Sequence, residues 1–141
     1  MEFSEEQQAL TGFAAAVRGN AYSRYSGLAV GSAVRTLGGS LYTGCNVENS
    51  SLGLAVCAER NAIAAAVAGG MQPGGLAAIA VVGGKGKPAT PCGACRQVIA
   101  EFAAPGCEVI CSTPDGTHRV FRLDELLPEQ FSLEQQSPPD I

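Results

Sequence analysis

Leu76-Ala77-Ala78-Ile79-Ala80-Val81-Val82 decides the fold. The run is wholly apolar and is bounded by Gly74-Gly75 before it and Gly83-Gly84 after it. It is too short for an ordinary helix and lacks the alternation of a strand with one wet face, so it reads as a strand covered on both sides. A helix is predicted over 93–102, followed by a second predicted strand, Cys107 to Ser112. Strand, helix, strand is the crossover that parallel neighbours need. The strands at 76–82 and 107–112 are therefore expected side by side, with helices on the faces of their sheet.

Outward from this pair, Leu10, Phe13, Ala14 and Val17 recur at helical spacing, and Ser4 with Gln7 forms a capping box, giving a helix over 4–18. Residues 20–28 read as a loop, and 29–37 and 40–47 as strands joined at the hairpin signal Gly38-Gly39. A loop over 49–56 leads into an Ala-rich helix over 58–68, closed by Gly69-Gly70. A glycine- and lysine-containing loop fills 83–91. After the turn Pro114-Asp115-Gly116 come a strand over 119–123 and a short helix over 124–127. The order α-β-β-α-β-α-β-β predicts an α/β fold, a three-layer α/β/α domain around a mixed five-stranded sheet. One domain is expected over 1–131, with a flexible tail over 132–141 that contains Pro138-Pro139.

The 141 residues carry a formal net charge of −4 with nine Lys and Arg, and no basic run. A nucleic-acid binder needs a basic face for phosphate contacts, so a small, weakly charged partner is expected instead. Met1-Glu2-Phe3-Ser4-Glu5-Glu6 lacks the basic and apolar regions of a signal peptide, and no apolar stretch is long enough to span a bilayer. A cytoplasmic location without membrane partners follows as an expectation. Six cysteines in that compartment point to a metal or to buried thiols rather than disulfides.

Two short clusters carry the chemistry: Cys57-Ala58-Glu59-Arg60 and Pro91-Cys92-Gly93-Ala94-Cys95-Arg96. Each lies where a predicted helix begins, and a helix N-terminus favours the thiolate that binds metal. Three Cys ligands fill three corners of a tetrahedral zinc ion and leave the fourth for water. Glu59, two residues from the first thiol, is placed to move protons at that water. The pattern C-x-E…P-C-x-x-C is that of zinc enzymes that hydrolyse an amino group from a base. Three thiolates and one Zn²⁺ leave one negative charge, and at least one of Arg60 and Arg96 is expected to hydrogen-bond a ligand sulfur and offset it. C-x-x-C alone also fits a redox pair or half of a closed structural site. A closed site needs a fourth ligand, for which Cys45, Cys107, Cys111 and His118 are available. Cys107 and Cys111, in an apolar stretch, read as buried thiols. From the residues alone, Asn46, Glu48, Tyr25 and Phe131 are site candidates and nothing more.

Over nearly its whole length the chain resembles the cytidine deaminase family. The resemblance runs from Tyr22-Ser23-Arg24-Tyr25-Ser26 to Leu126-Leu127-Pro128-Glu129-Gln130-Phe131, and is strongest in Thr43-Gly44-Cys45-Asn46-Val47-Glu48-Asn49 and the two thiol clusters. It implies one zinc per subunit on Cys57, Cys92 and Cys95, with Glu59 as proton shuttle. It implies that Asn46 and Glu48 hold the ribose 3′-hydroxyl, that the Ala58 backbone N–H holds the base, and that Phe131 reaches a neighbouring subunit's site. The short chain and three Cys ligands resemble the homotetrameric branch, with sites near subunit interfaces.

The implied activity is hydrolysis of cytidine and 2′-deoxycytidine to uridine and 2′-deoxyuridine with release of ammonia, a step of pyrimidine salvage. The chain departs from the family at Leu28, where a Phe normally packs against the base, and at Leu52, where a Tyr is usual. An aromatic stack is worth about 1–3 kcal/mol per base in nucleic-acid systems. These departures leave open a deaminase for another aminated nucleoside or a nucleoside antibiotic. A non-catalytic, zinc-stabilised binding protein is the other alternative, and it has no need of Glu59.

Overall fold

Ser4 opens the first helix of the computed structural model, which describes residues 3–133. Its hydroxyl accepts from the Gln7 N–H at 3.1 Å while the Gln7 side chain accepts from the Ser4 N–H at 3.0 Å, so the capping box forms as read. This helix, α1 (Glu5–Arg18), is followed by β1 (Gly31–Thr36), β2 (Leu41–Cys45), α2 (Ala58–Ala68), β3 (Leu76–Val82), α3 (Gly93–Phe102), β4 (Ala103–Ser112), β5 (His118–Arg122) and α4 (Leu123–Leu126). The five strands make one sheet in the order β2-β1-β3-β4-β5. β3 and β4 are parallel, with α3 as their crossover, and every other neighbouring pair is antiparallel. The sheet is mixed and five-stranded, as the order of elements predicts.

Every residue of β3 except Ala77 is buried, which accounts for its unbroken apolar run. The two faces of the sheet differ in side-chain size. Leu10 and Ala14 of α1 pack on Ala33, Ala78, Ala80, Val82 and Ile110. On the opposite face, Val34, Ile79, Val109 and Cys111 meet Ala62, Ile63 and Ala66 of α2 and Ile99 of α3. The small side chains let α1 sit close: a Cβ on Gly31 would lie 2.0 Å from the Ala14 carbonyl oxygen.

The structure corrects several boundaries. The β1–β2 connection is four residues, 37–40, and not a two-residue turn at Gly38-Gly39. Thr36 closes it from both sides, since its N–H donates to the Ser40 carbonyl and its hydroxyl accepts from the Ser40 N–H. β4 begins directly at the end of α3, four residues before the strand expected over 107–112. Ala103 pairs with Leu76, the register then shifts, and pairing resumes at Glu108 opposite Ala78. Pro105 and Gly106, with φ +77°, fall inside that shift and give the turn-like signal that hides the strand. β5 and α4 each start one residue before the predicted positions. Most of the expected tail, 134–141, lies outside the described residues. Among the described residues no helix is long and apolar enough to cross a membrane.

Candidate active site

Cys57 is the N-cap of α2 and Cys92 the N-cap of α3, both in extended backbone, and Cys95 lies in the first turn of α3. The Cys57 carbonyl accepts from the Asn61 N–H at 3.1 Å and the Cys92 carbonyl from the Arg96 N–H at 2.9 Å. Two features fix the start of α2. The chain enters α2 from an antiparallel bridge, Val47–Val56, so residues 46–48 run beside the first turn of that helix. α2 also lies directly on β2, where a Cβ on Gly44 would meet the Ala62 nitrogen at 2.4 Å and the Ala58 oxygen at 2.8 Å. The Asn61 side chain fastens the same contact by donating to the Cys45 carbonyl at 2.8 Å.

The Sγ atoms of Cys57, Cys92 and Cys95 all lie within 4.8 Å of one another. A tetrahedral ion at about 2.3 Å from each sulfur separates its ligands by about 3.8 Å, so the cluster fits zinc. Among the described residues no fourth His, Cys, Asp or Glu joins it. The closed structural site is therefore not built: Cys45, Cys107, Cys111 and His118 stand apart from the three sulfurs. Burial pushes the Cys107 and Cys111 thiols up to about 12, as befits inert core thiols. His118 stacks on Phe3, ring centroids 3.8 Å apart.

The donor set itself asks for a cation. Burial pushes the Cys95 thiol well above its ordinary value, and the nearby Glu59 carboxylate and Cys57 add to the shift. Burial also raises Cys92, but hydrogen bonds from the Cys95 N–H, the neighbouring thiols and the Ala94 N–H outweigh it and leave Cys92 below the usual thiol range. Three sulfurs this close resist joint ionisation unless a positive charge lies among them. Arg60 supplies part of that charge: its Nη2 donates to the Cys57 Sγ at 3.4 Å, and the Cys57 and Cys95 sulfurs hold it more firmly cationic. The Arg60 Nε is buried without a hydrogen-bond partner. Arg96 reaches no sulfur; its guanidinium goes to Pro91, Thr90 and Leu126 instead.

Glu59 is 5 % exposed, on the first turn of α2. Burial raises its carboxyl pKa, against the opposing pull of its own backbone N–H, Cys95 and Arg60. It lines a cleft of about 290 Å³ together with Cys57, Cys92, Ala58, Asn46, Glu48 and Leu28. Ser26, Val30, Val81, Ala89 and Thr90 complete the lining, and the sequence reading did not single them out. Ser26 and Thr90 had a local signal, being hydroxyl residues beside named motifs; Val30 and Val81 had none. Phe131 is not among the lining residues; it is exposed, and its carbonyl accepts from Gln97 Nε2 at 3.1 Å.

Asn46 and Glu48 already have partners. Asn46 Oδ1 accepts from the Val30 N–H and its Nδ2 donates to the Leu28 carbonyl, both at 2.8 Å. Glu48 accepts from the Tyr25 N–H at 3.0 Å, the Ser26 N–H at 3.1 Å and the Ser26 hydroxyl. Those bonds hold the 25–30 segment over the cleft. They leave Glu48 acceptor capacity unused, since a carboxylate offers about four lone-pair sites. Tyr25 also closes the loop through its hydroxyl, 2.6 Å from Ser50 Oγ.

Residues 4–111 match the family described as the cytidine and deoxycytidylate deaminase zinc-binding region. The chain is 42% identical over 120 residues to the cytidine deaminase of Sporosarcina psychrophila, covering 85% of this chain and 87% of that one. It is 39% identical over 132 residues to the cytidine deaminase of Halalkalibacterium halodurans, covering 94% and 98%. The crystal structure of cytidine deaminase from Burkholderia pseudomallei superposes with a TM-score of 0.84 at 48% identity, over 88% of this chain and 98% of that one. With an open three-cysteine site, a buried glutamate beside it and these likenesses along the same residues, the chain belongs to the cytidine and deoxycytidylate deaminase zinc-binding family.

Proposed function

We propose that the protein is a cytoplasmic hydrolase that deaminates cytidine and 2′-deoxycytidine. The observation that carries this is the cleft in which Glu59, Cys57 and Cys92 meet Asn46 and Glu48. One end offers hydrolytic chemistry and the other offers groups suited to a sugar hydroxyl. Cys57, Cys92 and Cys95 would hold zinc, which would supply the Lewis acidity that makes water a competent nucleophile near neutral pH. Glu59 takes the proton of the attacking water and delivers it to the ring nitrogen N3 of the base. The same carboxylate then carries the second proton of the attacking water to the leaving amine, so that ammonia departs and the keto base remains. The Ala58 N–H orients the base from the start of α2, and Arg60 steadies the charge of the sulfurs. Asn46 and Glu48 hold the ribose, with Glu48 adding a hydroxyl to the bonds it makes with Tyr25 and Ser26.

The active form in this reading is a homotetramer in which Phe131 of one subunit completes the cleft of another. A second reading, that a different aminated nucleoside is the substrate, draws support from the lining, which holds Leu28, Val30, Val81 and Ala89 and no aromatic ring. An ultraviolet deamination assay across cytidine, deoxycytidine, cytosine, adenosine and blasticidin S separates the two. Turnover of cytidine and deoxycytidine is expected, with loss of about 10²–10⁴-fold in Glu59→Ala at unchanged zinc content. Turnover of only another amine moves the substrate and keeps the chemistry; a Glu59→Ala protein as fast as wild type ends the mechanism.

A further inference from the structure

Arg96 ties together two separate pieces of chain, residues 90–92 and the end of α4. Its Nε donates to the Pro91 carbonyl at 2.7 Å, its Nη2 to the Thr90 hydroxyl at 3.3 Å and its Nη1 to the Leu126 carbonyl at 2.9 Å. Its backbone N–H donates to the Cys92 carbonyl. One residue therefore binds Cys92, both residues that precede it, and the end of α4. We infer that Arg96 is a positioning residue for Cys92: it braces residues 90–92 against α4 and so keeps the Cys92 sulfur with those of Cys57 and Cys95.

The three thiols are not held equally. Cys95 is buried within α3. Cys57 follows the Val47–Val56 bridge and has Arg60 on its sulfur. Cys92 is exposed, makes no side-chain capping bond, and follows a loop whose Gly84 and Gly86 both have positive φ. The bracing of its backbone comes from the Arg96 fork. Each of the three acceptors is met by a different nitrogen of the planar guanidinium, which an ammonium on a flexible stem does not reproduce. The two arginines after the thiol clusters thus do different work: Arg60 acts on sulfur, Arg96 on the backbone that carries it.

The inference rests on the three-cysteine zinc site but not on the substrate, and its test reads metal rather than turnover. Wild type, Arg96→Lys, Arg96→Ala and Gln97→Ala are loaded with zinc, checked for native circular dichroism, and mixed with excess chromogenic chelator. Zinc release about tenfold or more faster is expected from both Arg96 variants, the scale at which removing such partners weakens metal sites. Added methylguanidinium should slow release from Arg96→Ala. Gln97→Ala, which cuts the bond to the Phe131 carbonyl from the same helix turn, should release zinc like wild type. Should Arg96→Ala fail to fold, Arg96→Lys and Thr90→Val, which removes one acceptor, carry the test, the latter with a smaller increase. Wild-type release from the Arg96 variants, or an equal acceleration in Gln97→Ala, overturns the inference. A wild type that holds no zinc overturns the metal site with it.

Discussion

Glu48 shows how one residue is tied to both fold and site. Its carboxylate gathers the Tyr25 and Ser26 N–H groups and the Ser26 hydroxyl, which in turn accepts from the Leu28 N–H at 3.0 Å. The Ser26 hydroxyl and N–H hold its pKa below the ordinary value of 4.5, with Tyr25 adding to the effect and slight burial opposing it. A carboxylate whose pKa is depressed on folding stabilises the fold above its unfolded pKa and loses that contribution as pH falls through its folded pKa. Wild type should therefore melt above Glu48→Gln at neutral pH. The gap should close only once pH drops below the ordinary glutamate value. Calorimetry of the two proteins across the acid range checks this. A gap that persists into acid would mean the stabilisation does not come from the ionised carboxylate. Because Leu28 hangs from the same network, the substitution should also raise KM for cytidine.

Elements place these residues, and two glycines separate stability from function. Gly31 lets α1 approach one face of the sheet, and Gly44 lets α2 approach the other. Alanine at either position forces backbone apart, at about 1–3 kcal/mol for an overpacked core. The consequences differ by layer. Gly44→Ala moves the helix that begins with Cys57 and Glu59, so thermal stability and zinc content should fall together. Gly31→Ala should lower the melting temperature by a similar amount and leave zinc per chain unchanged. Equal zinc loss in both would mean the metal site senses stability alone. Much of this level is legible in the sequence because its signals are local. The β3 run, the Ser4/Gln7 box and the C-x-E and C-x-x-C clusters each act within a few residues. What stays hidden is set by distant partners. Nothing near Arg96 shows that its guanidinium meets the end of α4, or near Gly44 that a helix rests on it. Pro105-Gly106 conceals the start of β4 because a register shift and a loop share the same residues.

At the scale of the whole molecule, exposed apolar side chains gather on the loops that flank Asn46 and Glu48, and at Phe131. Leu28 is 68 % exposed, Leu52 81 % and Phe131 58 %, with Tyr22, Tyr25, Val47 and Leu54 also exposed. The Tyr22–Val47 bridge and the Tyr25–Ser50 contact put the two loops that carry most of them side by side. Apolar surface concentrated beside a reaction site is what a partner subunit buries. The cleft itself, without an aromatic lining, lacks the ring that Phe131 of a neighbour would bring. Complementation tests the arrangement. Glu59→Gln chains lack the shuttle, and Phe131→Ala chains lack the ring. If the proposed homotetramer forms, co-expression gives mixed assemblies in which a Phe131→Ala subunit keeps Glu59 and receives Phe131 from its Glu59→Gln neighbour. Cytidine turnover per intact Glu59 should then exceed that of Phe131→Ala alone and rise with the share of Glu59→Gln chains. If Phe131 serves its own chain, or no chain, dilution with an inactive partner cannot raise that figure. Light scattering on the same samples ties the gain to assembly, since a monomer offers no route for one chain's ring to reach another's site.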